Sequence, residues 1–258
     1  TMLHCLEAAA AGGLRFVVLD RPNPIGGHRV FGPLPDRDML GFTACAPIPL
    51  VHGMTAGELA RLFRRMKGLE CRLQVVPVAG WRRSQWLDET DIPWVDTSPN
   101  MRSLRAATLY PAVCLLEACN LSVGRGTERP FELFGAPWIE AERLAAALNG
   151  AKPGGVVFRP LEFTPRASRC RGEKCGGVEI AIRDRERIDP LRLGITLVQT
   201  LLRLHGKKFA VDRVNHLLRN RKIHRRIVAG DPPERIEALW QEDLAAFRKL
   251  REAVLLYE

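Results

Sequence analysis

No stretch of the chain approaches the roughly 18 consecutive apolar residues of a membrane-spanning helix, so none is expected. Residues 1–11 have no basic leader and no small-residue cleavage site, so they do not read as a signal peptide. None of the seven cysteines forms a Cys-x-x-Cys pair. The spacings Cys114/Cys119 and Cys170/Cys175 are not those of a zinc knuckle, which leaves scattered reduced thiols. Spacing alone does not decide a Cys170–Cys175 disulfide. The six histidines show no metal-ligand spacing. The phosphate-loop pattern Gly-x-x-x-x-Gly-Lys-Ser/Thr is absent, as are internal repeats and low-complexity tracts. Acidic residues are in short supply: 29 Asp+Glu face 39 Lys+Arg, a net +10 over 258 residues. That balance favours anionic partners in general: nucleic acid, wall polymers or a membrane surface.

With 46% hydrophobic and 26% charged residues, the chain can bury one large core or two smaller ones. Leu3, Leu6 and Ala10 share a helical face, and Gly12-Gly13 stops that helix. The run 14–19 then reads as a buried parallel strand. A helix feeding such a strand, with no strand before it, predicts a chain that continues further toward the N-terminus. Thr55 and Glu58 make a capping box for a helix over about 56–67. Strands are expected at 72–78 and 112–116, with a helix near 101–109 between them. Further on, a helix over 138–148 precedes strands at 156–158 and 178–182. Helices at about 190–205, 211–219 and 234–254 complete the chain. Alternating strands and helices predict an α/β fold with a mostly parallel sheet, followed by a smaller α+β C-terminal domain, divided as 1–140 and 141–258.

Three polar segments stand out. Residues 117–132 hold Gly-Arg-Gly and follow the expected strand at 112–116; Arg125 offers a planar fork for a carboxylate or phosphate. Residues 20–27 place Arg21 and Asn23 in a Pro/Gly-rich loop, either a binding loop or a rigid connector. Trp81 and Trp86, with Arg82 and Arg83 between them, either stack on a sugar or base or belong to the core. His52, beside a capped helix, reads as structural. The stretch 203–226 is basic throughout, with only Asp212 opposing. It has no aromatic but Phe209 and fits no helix-turn-helix or zinc finger, so it reads as a solvated helical face and nucleic acid is not the expected partner.

The same segments carry a resemblance. Val-Leu-Asp-Arg-Pro-Asn-Pro-Ile-Gly-Gly (18–27), His-Gly-Met-Thr-x-Gly-Glu-Leu-Ala (52–60), Ser-Pro-Asn-Met (98–101), Leu-Tyr-Pro (109–111) and Asn-Leu-Ser-Val-Gly-Arg-Gly-Thr-Glu-Arg-Pro-Phe-Glu (120–132) resemble the bacterial exo-β-N-acetylmuramidases, long classed as a domain of unknown function. So do Gly-Ala-Pro-Trp-Ile (135–139), Phe-Arg-Pro-Leu-Glu-Phe-Thr-Pro (158–165), Cys-Gly-Gly-Val (175–178) and Leu-Leu-Tyr (255–257). The resemblance implies a Rossmann-like domain, present here in part, with a smaller C-terminal domain and a cleft between them. It implies release of N-acetylmuramic acid from the non-reducing ends of peptidoglycan fragments, with no cofactor or metal. It favours a periplasmic or extracellular location over a cytoplasmic one.

Two departures accompany it. The family begins earlier, with a Ser-Pro-Glu-His-Gly-like motif that is absent here. Its loop usually reads Asn-Leu-Ser-Glu-Gly-Arg-Gly-Thr, whereas this chain has Val123 at the acidic position. Glycoside hydrolysis normally uses two carboxyl groups. Glu117 is the candidate acid/base, since the end of a buried strand would favour the protonated form that a general acid needs; Glu132 is the second choice. Arg21, Asn23, Arg82, Asn120, Arg125 and Thr127 are the candidate substrate-binding residues, with an arginine taking the lactyl carboxylate.

Overall fold

A computed structural model describes residues 1–258, which form two compact units: Thr1–Pro93 with Gln241–Glu258, and Trp94–Trp240. In the first unit, α1 (Met2–Ala11) leads to β1 (Arg15–Leu19). Helix α2 (Ala56–Lys67) then leads to β2 (Arg72–Val76). The two strands pair in parallel, from Arg15 opposite Arg72 to Leu19 opposite Val76. The expected capping box forms: Thr55 Oγ1 accepts from Glu58 N, and Glu58 Oε2 accepts from Thr55 N. Leu3, Leu6, Ala9, Val18, Ala60 and Phe63 make the core beneath the sheet.

β1 is not buried on both faces. Residues alternate in exposure, and Val17, Leu19 and Val76 face out, Leu19 at 75% exposure. An apolar run gave no alternation from which this one-sided burial could be read.

In the second unit α3 spans Leu104–Val113, capped by Ser103. A 3₁₀ turn follows at Cys114–Leu116. The strand expected at 112–116 is therefore a helix end. Those residues are fully apolar, and full burial on the helix's inner side demands the same composition as a buried strand. Glu117 follows this turn and no strand precedes it.

β3 (Leu133–Ala136), β4 (Val156–Phe163) and β5 (Cys175–Ile182) form an antiparallel sheet in the order β3-β5-β4. Between β3 and β4 runs α4 (Ala141–Gly150), and Asn149 clasps the backbone N–H and C=O of Phe158 at 2.9 and 2.8 Å. Because β3 pairs with β5, residues on both sides of position 140 share one sheet. The contacts therefore divide near residue 94, and the chain returns to the first unit at 241. The fold is mixed α/β, with one parallel pair and one antiparallel sheet.

α5 (Pro190–His205) lies against α3. Gly194 permits this approach, since a Cβ there would meet Leu115 Cδ1 at 2.9 Å and Ala112 O at 3.0 Å. The unit ends with α6 (Asn215–Leu218), α7 (Arg221–Val228) and α8 (Pro233–Ala238). The single helix expected at 234–254 is α8 and a separate helix, Gln241–Glu252, in the first unit. All seven cysteines are free thiols. No helix is long and apolar enough to cross a membrane.

Candidate functional site

In the second unit the 117–132 loop is built around one carboxylate. Glu117 Oε1 pairs with Arg125, and Oε2 accepts from the Tyr110 hydroxyl at 3.2 Å. Tyr110 stacks edge-on against Phe131 (4.8 Å between centroids), and the Arg125 guanidinium lies over the same ring at 5.6 Å. Burial, and then the neighbouring Cys114 and Glu117, raise the Tyr110 phenol above its ordinary range, so it stays a donor. The Cys114 thiol is likewise pushed up to about 12 by burial, which makes it inert. Arg125 Nε is buried without a partner, while the side chain as a whole keeps about a third of its surface exposed (37%). A ligand can reach only the exposed end of the guanidinium, not Nε.

The glycines beside Arg125 serve the chain itself. Gly124 and Gly126 have φ of 79° and 82°. A Cβ on Gly124 would meet Arg129 O at 2.8 Å, and one on Gly126 would collide with the backbone of Ala167. Thr127 and Asn120 are spent in the same way. Thr127 Oγ1 donates to Gly124 O and accepts from Arg129 N. Asn120 donates to Lys208 O at 2.8 Å and accepts from Ala210 N at 2.9 Å. Glu132 is held by Ser103 and Arg105. Val123 is buried.

The first unit holds Arg21, Asn23 and Arg82. Arg21 and Arg82 are exposed. Asn23 makes an Asx turn to Ile25 N and donates to Met54 O. The larger feature here was missed in the sequence: a buried polar network joining its motifs. Asp20 accepts from Thr55 Oγ1 and the Tyr257 hydroxyl, both at 2.6 Å, and from Gly57 N at 2.8 Å. Glu58 is fully buried and pairs with Arg83. Arg83 and Arg251 both donate to Gly27 O and Gly53 O. Gly53 is obligatory, because φ is 59° and a Cβ would sit 2.5 Å from Arg29 O. His52 Nδ1 accepts from Met54 N at 3.1 Å. Desolvation, and then Arg251, push its pKa down to about 4. Trp81 and Trp86 are buried, Trp81 edge-on to Tyr257 at 4.9 Å; they are core, not a stacking surface.

The only sequence hint of this network was that Asp20, Glu58 and Tyr257 sit in the quoted motifs. The residues that it binds lie up to 237 positions apart.

Residues 1–105 match the family model described as the N-terminal part of the exo-β-N-acetylmuramidase NamZ, and residues 108–257 match its C-terminal part. This chain belongs to the NamZ family. The peptidoglycan β-N-acetylmuramidase NamZ of Bacillus subtilis (strain 168) is 38% identical over 260 residues, covering 100% of this chain and 63% of its own length. The chain thus spans less than two thirds of that NamZ relative. Two crystal structures of DUF1343 family proteins from Bacteroides fragilis NCTC 9343 are also similar. One has a TM-score of 0.87 and 31% identity over 98% of this chain and 69% of its own. The other has 0.79 and 29% over 100% and 70%. In this NamZ-family chain, the quoted motifs of the first unit contribute members of its buried network, and the Gly-Arg-Gly motif is a loop folded on an ion pair.

Proposed function

We propose that this NamZ-family chain is a glycoside hydrolase that releases N-acetylmuramic acid from the non-reducing ends of peptidoglycan fragments, in cell-wall turnover. The observation that carries the proposal is the Glu117–Arg125–Tyr110 cluster in the loop that marks the family. Glu117 is the acid/base. While paired with Arg125 it is an acceptor, suited to taking a proton or facing the positive charge of an oxocarbenium-like transition state. The exposed end of the Arg125 guanidinium takes the lactyl carboxylate of muramic acid. A substrate carboxylate arriving there competes with Glu117 for the guanidinium and frees Glu117 to exchange a proton. Arg21 and Arg82 are exposed cations available to the sugar. Asn23, Asn120 and Thr127 position the loops that carry them. The parallel β1–α2–β2 unit supports reading the first unit as part of a Rossmann-like domain.

The test is release of N-acetylmuramic acid from a MurNAc–GlcNAc disaccharide, with Glu117→Gln assayed alongside. The variant is expected to lose at least a hundredfold in kcat. Rates like those of the wild type in that variant remove Glu117 from the mechanism. A second reading is favoured by Val123, which puts a buried apolar group where the family carries a carboxylate. On that reading the chain binds such sugars without cleaving them, and measurable turnover refutes it.

A further inference from the structure

The second unit has a cleft of about 800 Å³ that Glu117, Asn120, Arg125 and Thr127 do not line. It is bounded by the 151–154 turn, one side of α5 and the ends of α7 and α8. Its volume is that of a small-ligand site. Four cations and two carboxylates line it, and the carboxylates are already committed. Asp189 caps α5, accepting from Leu191 N and Arg192 N at 3.0 Å each. Glu234 pairs with Arg192, which is also held by Glu237 at 2.6 Å. Lys152, Arg187 and Arg203 remain, exposed and facing no carboxylate partner.

Two of the neutral polar side chains are engaged with the backbone, and the third, Thr200, is buried. Thr196 donates to Arg192 O, and Gln199 donates to Ile227 O and Asp231 O. Their donors are therefore committed to the protein backbone. No aromatic ring lines the cleft to stack a base or a pyranose face. Leu193, Ile227 and Val228 supply aliphatic wall instead. Three unpaired cations around an aliphatic wall match a ligand with at least two carboxylates and small apolar groups between them.

We infer that this cleft binds a short acidic peptide with alanine-sized side chains, free or attached to a glycan. The guanidinium groups of Arg187 and Arg203 take the carboxylates as planar forks, with Lys152 as a third positive charge. The aliphatic wall covers the methyl groups. The inference goes beyond the hydrolytic reading and does not depend on Glu117, so turnover of a peptide-free disaccharide leaves it open to its own test.

Isothermal titration of the full chain with Ala-Glu-Ala is the experiment. Its controls are Ala-Gln-Ala amide, inorganic phosphate, and the same acidic peptide joined through its N-terminus to N-acetylmuramic acid. Saturable binding of the acidic peptide, no binding of the amide, and at least fivefold weakening in Arg187→Gln and in Arg203→Gln are expected. Both side chains are exposed and unpaired, so these variants keep the fold. Equal affinity for the free and the sugar-linked peptide supports a site that reads the peptide alone. At least tenfold tighter binding of the linked form supports a glycan-borne ligand. The inference fails if the amide binds as well as the acid, if phosphate binds more tightly than the peptide, if neither acidic peptide binds, or if Arg203→Gln changes nothing.

Discussion

Acidification should unfasten the first unit through His52. Its ring accepts from Met54 N, so a proton on Nδ1 removes that acceptor and puts a positive charge beside Arg251. Desolvation and Arg251 hold the folded pKa at about 4 against 6.5 for the free side chain, with Glu58 opposing more weakly. A depressed histidine pKa means that the unfolded chain binds the proton first. The stabilisation is therefore complete above about pH 6.5, falls with pH, and is gone near pH 4. A gap of roughly 2.5 units corresponds to about 3 kcal/mol in full, most of it lost by pH 4.5. Urea unfolding at pH 7.5 and 4.5, followed by tryptophan fluorescence, measures the loss in the wild type and in His52→Asn, whose amide oxygen can still accept from Met54 N. Carboxylates titrate in both proteins and cancel in the comparison. The wild type should lose about 2–3 kcal/mol more than the variant over this interval. Equal losses, or a His52 ring resonance that titrates near 6.5, refute the reasoning.

The remaining predictions concern packing and the loop. Arg83→Met should destabilise by about 3–5 kcal/mol in chemical denaturation, because it strands the Glu58 carboxylate with no exposed surface; a loss below about 1 kcal/mol contradicts the network. Gly176→Ala drives a Cβ into Ile139 O and should cost at least about 1–3 kcal/mol, whereas Gly41→Ala meets nothing within 4 Å and should be near neutral by thermal melt. Tyr110→Phe removes one of the two groups on Glu117 and should lower kcat in the disaccharide assay while leaving the fold intact by circular dichroism. An unchanged kcat would remove the phenol from the site.

Local signals were legible where the physics is local. The Thr55/Glu58 box set the start of α2, and α5 formed over the expected 190–205 behind the Asp189 cap and Pro190 at its first turn. These signals act within four residues, so neighbouring sequence suffices. The family motifs were legible as patterns, and the family follows from them. The 112–116 run was not legible, because a short apolar segment serves a buried strand and a helix end equally well. Only the packing of α3 against α5 decides it for the helix.

The sequence by itself determined the family, the basic charge and the loop that carries Glu117 and Arg125. Tertiary structure decided what those motifs are for. Asp20 meets Tyr257 only once the C-terminal segment has returned to the first unit, Glu58 meets Arg83 across 25 positions of the N-terminal segment, and both pairings satisfy polar groups that folding removes from water. It also decided that the Gly-Arg-Gly glycines admit the protein's own backbone and that Trp81 and Trp86 lie in the core. Such outcomes depend on which distant atoms arrive alongside, and residue order along the chain does not encode distance in space.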